Sequence, residues 1–267
     1  MNYTEITSRK NKIVLEVASL YSDKKARDAS NLFVLEGIKL LQEAIASDLV
    51  IKKLFFTSVA LEKYKKTIES VLFAEKYLVT DEVYNKLSGE SAPQGILACA
   101  EKPNPLNFTE NEVKDGSFVF LEDIQNPLNI GAILRCCYSM GFEKVVFSPK
   151  CADIYSPKCA RAAMGSLFKI KPFFVNDMPS AVKLTVSSGK DVYCTILSES
   201  SIKLGQISFK SDDSFIIGNE GHGVSSELEK ECTCGLYIPM NEGAESLNAA
   251  TAAAVVMWEM KKDFLCR

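Results

Sequence analysis

The sequence predicts an α/β protein built in two parts, and three observations carry that expectation. Short β-branched and aromatic runs alternate with stretches of helical periodicity through most of the 267 residues, the pattern of a mostly parallel sheet covered on both faces. The length exceeds one ordinary compact core and favours one large or two modest domains. A polar segment, EKPNPLNFTENEVKDGS at 101–117, interrupts the alternation, and Pro103 and Pro105 discourage regular structure in it. The expected division is a first domain over 1–105, a linker over 106–117 and a second domain over 118–267.

In the first domain the periodicity predicts a helix near 9–21, a strand at 32–35 and a helix at 38–46. Strands follow at 51–57, 76–79 and 95–100, with helices at 58–70 and 81–87 between them. The second series begins with the run Phe118–Leu121 and continues with strands near 144–148, 170–175, 191–197, 214–218 and 235–239. A long helix is expected from about Ser246 to about Phe264.

Composition narrows the function classes. With 47% hydrophobic and 24% charged residues, 14 Gly and 9 Pro, the chain falls among folded globular proteins. The longest apolar candidate for a membrane span, Ala249 to Met257, is short and continues into Glu259 and Lys261. The opening residues show no secretory signal, so a cytoplasmic protein is expected. Cys99, Cys136, Cys137, Cys159 and Cys194 sit in apolar stretches and read as reduced core thiols. Cys232 and Cys234 form a C-x-C pair without a second ligand pair, and the single histidine, His222, does not complete a zinc set. No metal site is expected.

The net charge of −3 argues against a uniformly basic nucleic-acid binder, but residues 1–27 carry six basic groups against three acidic ones. Arg9, Lys10, Lys12, Lys24, Lys25 and Arg27 make a modest basic arm or, equally well on this feature alone, a solvated helix face.

In a parallel sheet the loops leaving the carboxyl ends of strands build the ligand crevice, and three such loops stand out. The first, EDIQNPLNIGAILRCCYSMGF, has a turn at Asn126-Pro127, Asn129 as a candidate helix cap and Gly131 for close backbone approach. Arg135 falls six residues after Asn129 on an otherwise apolar helix. It fits a structural ion pair or an inward-facing anion contact. The second loop, FIIGNEGHGVSSEL, places Gly218, Gly221 and Gly223 around Asn219, Glu220 and His222. Its G-x-x-G-x-G order is neither a dinucleotide fingerprint nor a P-loop, and a glycine-rich turn with Ser225 or Ser226 capping the next helix accounts for it as well. In the third, YIPMNEGAESLNAATAAAVVMWEM, a strand ends at Pro239 and Ser246 is a candidate cap for an alanine-rich helix. A cap at Ser246 leaves a buried Asn248 unexplained.

Together these stretches resemble the SpoU/TrmH family of ribose 2′-O-methyltransferases, within the SPOUT superfamily. An N-x-G-x-x-x-R motif is present as Asn129 to Arg135, a G-N-E-G-x-G loop as Gly218 to Gly223, and I-P-M followed by S-L-N as Ile238-Pro239-Met240 and Ser246-Leu247-Asn248. RAAMGSLF at 161–168 looks like a segment often found between the first two. Two positions depart from the family pattern: Asn126 stands where aspartate is common, and Leu128 where glycine is frequent. The resemblance is strong over 113–267, and residues 1–105 look like the small RNA substrate-binding domain that precedes the catalytic one in many members.

The resemblance implies a C-terminal α/β-knot, a mostly parallel sheet whose tail threads a deep trefoil knot, preceded by a small α/β substrate-binding domain. It implies an S-adenosylmethionine-dependent RNA 2′-O-ribose methyltransferase, acting on ribosomal RNA in the first place and transfer RNA in the second, and working as a homodimer whose active site draws on both chains. By resemblance Arg135, Asn129, Glu220, Ser246 and Asn248 would act on the ribose and its phosphate. Gly218, Asn219, Gly221, Ile238, Met240 and Leu247 would hold the cofactor, and Arg9, Lys10, Lys12 and Arg27 would meet RNA. A non-catalytic ribosome-assembly factor on the same fold is the alternative. A nicotinamide-dependent enzyme lacks the glycine fingerprint of the first strand.

Overall fold

A computed structural model describes residues 2–198, 200–244 and 246–265. Along the chain the elements are β1 (Thr4–Ile6), α1 (Lys12–Ser22), α2 (Lys24–Ser30), β2 (Leu32–Glu36), α3 (Ile38–Ala46), β3 (Ile51–Phe56), α4 (Ser58–Ser70), β4 (Glu75–Val79), α5 (Asp81–Leu87) and β5 (Ile96–Glu101). There follow β6 (Phe118–Leu121), α6 (Pro127–Ser139), β7 (Lys144–Phe147), α7 (Pro157–Ala163), β8 (Lys171–Phe174), α8 (Met178–Ser187), β9 (Val192–Thr195), β10 (Ile202–Lys203), β11 (Ser214–Ile217), α9 (Ser226–Glu231), β12 (Cys234–Tyr237) and α10 (Ala249–Leu265). The chain divides into two compact units, 1–104 with 153–168, and 105–152 with 169–267.

The first unit is a five-stranded sheet in the order β1-β4-β3-β5-β2. β1 and β3 run parallel to β4, whereas β5 is antiparallel to both β3 and β2. Val14, Val17 and Leu20 of α1 form one apolar stripe and pack with Val83, Tyr84 and Leu87 of α5 over Phe55, Tyr77 and Leu97 of the sheet. Asn11, Thr57 and Thr80 cap α1, α4 and α5 through their side-chain oxygens. The segment 153–168, which carries RAAMGSLF, belongs to this unit, with α7 against β2.

α2 is an element the periodicity did not announce, and it changes the reading of Arg27. That residue is only 4% exposed. Its Nε donates to Asp153 Oδ2 at 2.8 Å, and a terminal nitrogen donates to the Leu20 carbonyl at 2.7 Å. Expected on an RNA-facing arm, Arg27 is instead a buried, paired charge, because an arginine enters a core only when its donors are satisfied there. Lys10 and Lys12 are exposed, and Arg9 is exposed beside Glu82 at 3.6 Å.

The second unit is a seven-stranded sheet, all parallel, in the order β10-β12-β9-β11-β6-β7-β8. The central strands β6 (FVFL) and β11 (SFII) are buried at every residue, as a sheet covered on both faces requires. Two expected caps move. Asn126 rather than Asn129 caps α6, accepting from the Leu128 N–H at 2.9 Å with Pro127 in the first turn. Asn248 rather than Ser246 caps α10, accepting from the Ala250 N–H at 2.9 Å, so that helix begins at Ala249. Ser225 caps α9. Cys99, Cys137, Cys159 and Cys194 are buried free thiols, and burial pushes the Cys99 thiol up to about 12. Among the described residues no helix is long and apolar enough to cross a membrane.

Candidate active site

The carboxyl ends of β9, β11 and β12 open into one cleft of about 620 Å³, within the range of small-molecule sites. Gly218, Asn219, Gly221, Ile238, Met240 and Leu247, the six residues expected to hold a cofactor, all line it. Glu220, Ser246 and Asn248 line it too. The floor is the glycine loop after β11. Asn219 and Gly223 exchange two backbone hydrogen bonds, of 3.0 and 2.9 Å, closing a tight turn. At Gly218 a Cβ would lie 2.1 Å from the Gly223 carbonyl carbon, so only glycine lets the turn fold back there. Asn219 braces the same turn, its Oδ1 accepting from the Gly221 and His222 N–H groups and its Nδ2 donating to the Asp123 carbonyl at 2.7 Å.

Glu220 joins this loop to the one after β6. Its carboxylate accepts from the Gln125 N–H at 3.1 Å, the Asn126 N–H at 3.2 Å and the Asn129 Nδ2 at 3.0 Å. Burial alone would raise the Glu220 carboxyl, but the hydrogen bonds from Asn129 and from the backbone outweigh it and hold the group below its ordinary value. With three donors on its carboxylate, Glu220 braces the two loops.

Asn129 is 8% exposed and continues the chain of contacts, its Oδ1 accepting from Asn248 Nδ2 at 3.0 Å. The motif amides and the Glu220 carboxylate of three separate loops are thus one connected network. Asn248 is exposed by area, in contrast to the buried residue expected, yet both ends of its amide are engaged. Arg135, expected to point inward, is exposed on α6. Among the described residues it forms no salt bridge, and it does not line the cleft.

Sequence reasoning missed Thr195, Ile196 and Leu197, which line the cleft from the end of β9. Their signal was position alone, since the carboxyl end of a parallel strand borders the crevice. It also passed over Glu122, whose Oε2 accepts from the Ser225 N–H at 2.8 Å and ties the first loop to the start of α9. Among the described residues no group of three or more side chains is placed to hold a metal ion.

Residues 116–258 match the SpoU rRNA Methylase family, and residues 11–98 match the MRM3-like substrate binding domain. The chain is 30% identical to a 23S rRNA (guanosine(2553)-2′-O)-methyltransferase of Bacillus subtilis, over 96% of this chain and 99% of that protein. It is 26% identical to the mitochondrial rRNA methyltransferase 3 of Xenopus tropicalis, over 93% of this chain and 74% of that one. Among solved structures, an AdoMet-bound rRNA methyltransferase from Sinorhizobium meliloti superposes with a TM-score of 0.85 at 26% identity, covering 98% of this chain and 99% of the other.

Proposed function

The chain belongs to the SpoU rRNA methylase family, and from that premise we propose that it transfers the methyl group of S-adenosylmethionine to a ribose 2′-hydroxyl of ribosomal RNA. The observation that carries the reading is that two motif loops line one cleft and the third is tied to both of them, Asn129 bonding to Glu220 and to Asn248. The cleft fits the cofactor in character: glycine and asparagine backbone on one side, and the apolar Ile238, Met240 and Leu247 on the other. When bound, the sulfonium supplies an electrophilic methyl group for in-line attack by an oxygen.

The chain's own residues would then do two things. The network through Asn129 and Asn248 fixes the walls of the cleft, so positioning of the hydroxyl costs little further ordering. Ser246 and Asn248, exposed at the mouth of the cleft, contact the ribose. Arg135, a guanidinium with a fork of donors, serves as a clamp on the adjoining phosphate and stabilises the developing alkoxide. The MRM3-like unit and its exposed Lys10 and Lys12 bind the RNA, whose 2′-hydroxyl distinguishes it from DNA. Cytoplasmic RNA is the proposed substrate.

A homodimer follows from the same reading. Leu128 and Tyr138 of α6 are 53% and 45% exposed, and Val255 and Trp258 of α10 are 37% and 51% exposed, apolar area of the kind that subunit interfaces cover. Arg135 shares α6 with the first two and stands outside its own cleft, as a residue serving a site shared between chains would. The threading of the tail as a trefoil knot belongs to the proposal and rests on membership of the family. Sedimentation should give a dimer, and Trp258→Glu should give a monomer with reduced methyl transfer.

The deciding experiment is transfer of labelled methyl from S-adenosylmethionine to ribosomal RNA and, separately, to transfer RNA, followed by mapping of 2′-O-methylated positions. Label in ribosomal RNA at a ribose supports the reading, and label in transfer RNA alone moves the substrate. Binding of the cofactor with no transfer to either overturns the enzyme reading in favour of an assembly factor.

A further inference from the structure

Asp123 adopts a left-handed backbone conformation, with φ of 53°, a region that costs most residues with a Cβ, aspartate less than others, and that is secured where the surroundings hold it. Here they do so on three sides. The Asp123 N–H donates to Ser148 Oγ at 2.8 Å, and the Ser148 hydroxyl donates back to Asp123 Oδ1 at 2.5 Å. Lys150 Nζ lies 3.3 Å from Oδ2. Ser148 is itself 6% exposed at the end of β7 and is anchored by its own N–H on the Leu121 carbonyl at 3.1 Å. The conformation so held turns the Asp123 carbonyl onto Asn219 Nδ2 at 2.7 Å. Asn219 is the residue whose other amide atom shapes the glycine turn.

We propose that Asp123, locked by Ser148, is a positioning residue of the cofactor site: its left-handed backbone presents the carbonyl that orients Asn219 and, through it, the Gly218–Gly223 turn. Asp123 opens the first of the three loops but lies outside its motif, Ser148 lies outside all three, and neither residue lines the cleft. Their effect on the cofactor is therefore indirect, through one amide. The proposal rests on the cofactor reading given above.

The test uses the full-length protein and equilibrium binding of S-adenosylmethionine and S-adenosylhomocysteine, read by calorimetry, together with amide hydrogen exchange of the ligand-free protein at Gly221 and His222. Asp123→Gly, which tolerates the same φ, should bind both ligands within about threefold of wild type. Asp123→Val, which does not, should lose at least tenfold in affinity for both and exchange faster at Gly221 and His222, while affinity for RNA stays within twofold. Ser148→Ala keeps the fold and should lose affinity in the same direction by a smaller factor. Adding Asp123→Val to Asn219→Ala should cost no further affinity, because Asp123 acts on the turn only through Asn219.

If Asp123→Val does not fold, Ser148→Ala and Asp123→Gly decide the matter, and unchanged binding with unchanged exchange in Ser148→Ala overturns the proposal. Equal losses in Asp123→Gly and Asp123→Val also overturn it, since the carboxylate and not the backbone would then matter. A wild-type protein that binds neither ligand defeats the cofactor reading itself, which is a different outcome from wild-type binding that the variants leave intact.

Discussion

Asn248 Nδ2 lies 3.0 Å from Asn129 Oδ1, an amide pair bridging 119 positions of the chain. Each partner is engaged at both ends of its amide: Asn129 also donates to Glu220, and Asn248 also caps α10. The first turn of α6, the start of α10 and the glycine loop are held in register by these two side chains, and the last two line the cleft.

Replacing Asn129 with alanine strands a donor on Asn248 and removes one of three donors from Glu220. A loss of about 1–3 kcal/mol is expected for the two hydrogen bonds removed, one of them to a charged group. Urea unfolding of Asn129→Ala, Asn248→Ala and the double variant should show a coupling of about 0.5–3 kcal/mol. Additive losses would mean that the contact does not hold the loops together.

Arg135 presents the opposite case, an exposed cation with no salt bridge among the described residues. Arg135→Ala should change stability by less than about 0.5 kcal/mol. Methyl transfer to RNA should nevertheless fall by about two to three orders of magnitude. Lysine should recover only part of the rate, because it cannot reproduce a bidentate fork on phosphate. Wild-type turnover in a folded Arg135→Ala would remove the clamp from the mechanism.

Glu220 titrates below its ordinary value when folded, held there by Asn129 and backbone donors against its burial. The unfolded chain therefore takes up this proton at a higher pH than the folded one. The stabilisation is fully present above the unfolded value, near pH ~4.3 for a free glutamate. It is lost as pH falls through the folded value. Denaturant midpoints of wild type and Glu220→Gln should differ most near neutral pH and converge on acidification below about pH 5. A gap that stays constant to pH 3 would show that the ionised form is not what braces the loops.

Two members of the basic arm should separate cleanly. Arg27→Ala leaves the Asp153 carboxylate, 10% exposed, without its partner, and a loss of about 3–5 kcal/mol is expected for an uncompensated buried charge. Lys12→Ala removes an exposed cation, 90% exposed in its side chain. It should leave thermal stability nearly unchanged while lowering the salt slope of RNA binding by about one unit. If Lys12→Ala leaves that slope unmoved, RNA does not bind across this arm.

Most of the framework was legible in the chain itself. Helix periods fixed α3 at 38–46 and α5 at 81–87, and apolar runs located the central strands to within a residue or two, because both signals are local. The glycine turn was equally readable, since Gly218 sits where no Cβ fits, and all six residues expected at the cofactor line one cleft. Other features depended on partners far away in sequence. Arg27 reads as one more surface cation until Asp153, 126 residues on, closes over it. The choice between Asn126 and Asn129 as cap, or between Ser246 and Asn248, turns on which side chain a distant loop has already claimed. The same is true of the antiparallel entry of β5 and of the cleft wall at Thr195–Leu197. Sequence by itself determined which segments become strands, helices and tight turns, because those follow from short-range sterics and periodic burial. Tertiary structure alone decided which polar side chains end up satisfied by one another, because a hydrogen bond between residues over a hundred positions apart leaves no mark on local periodicity.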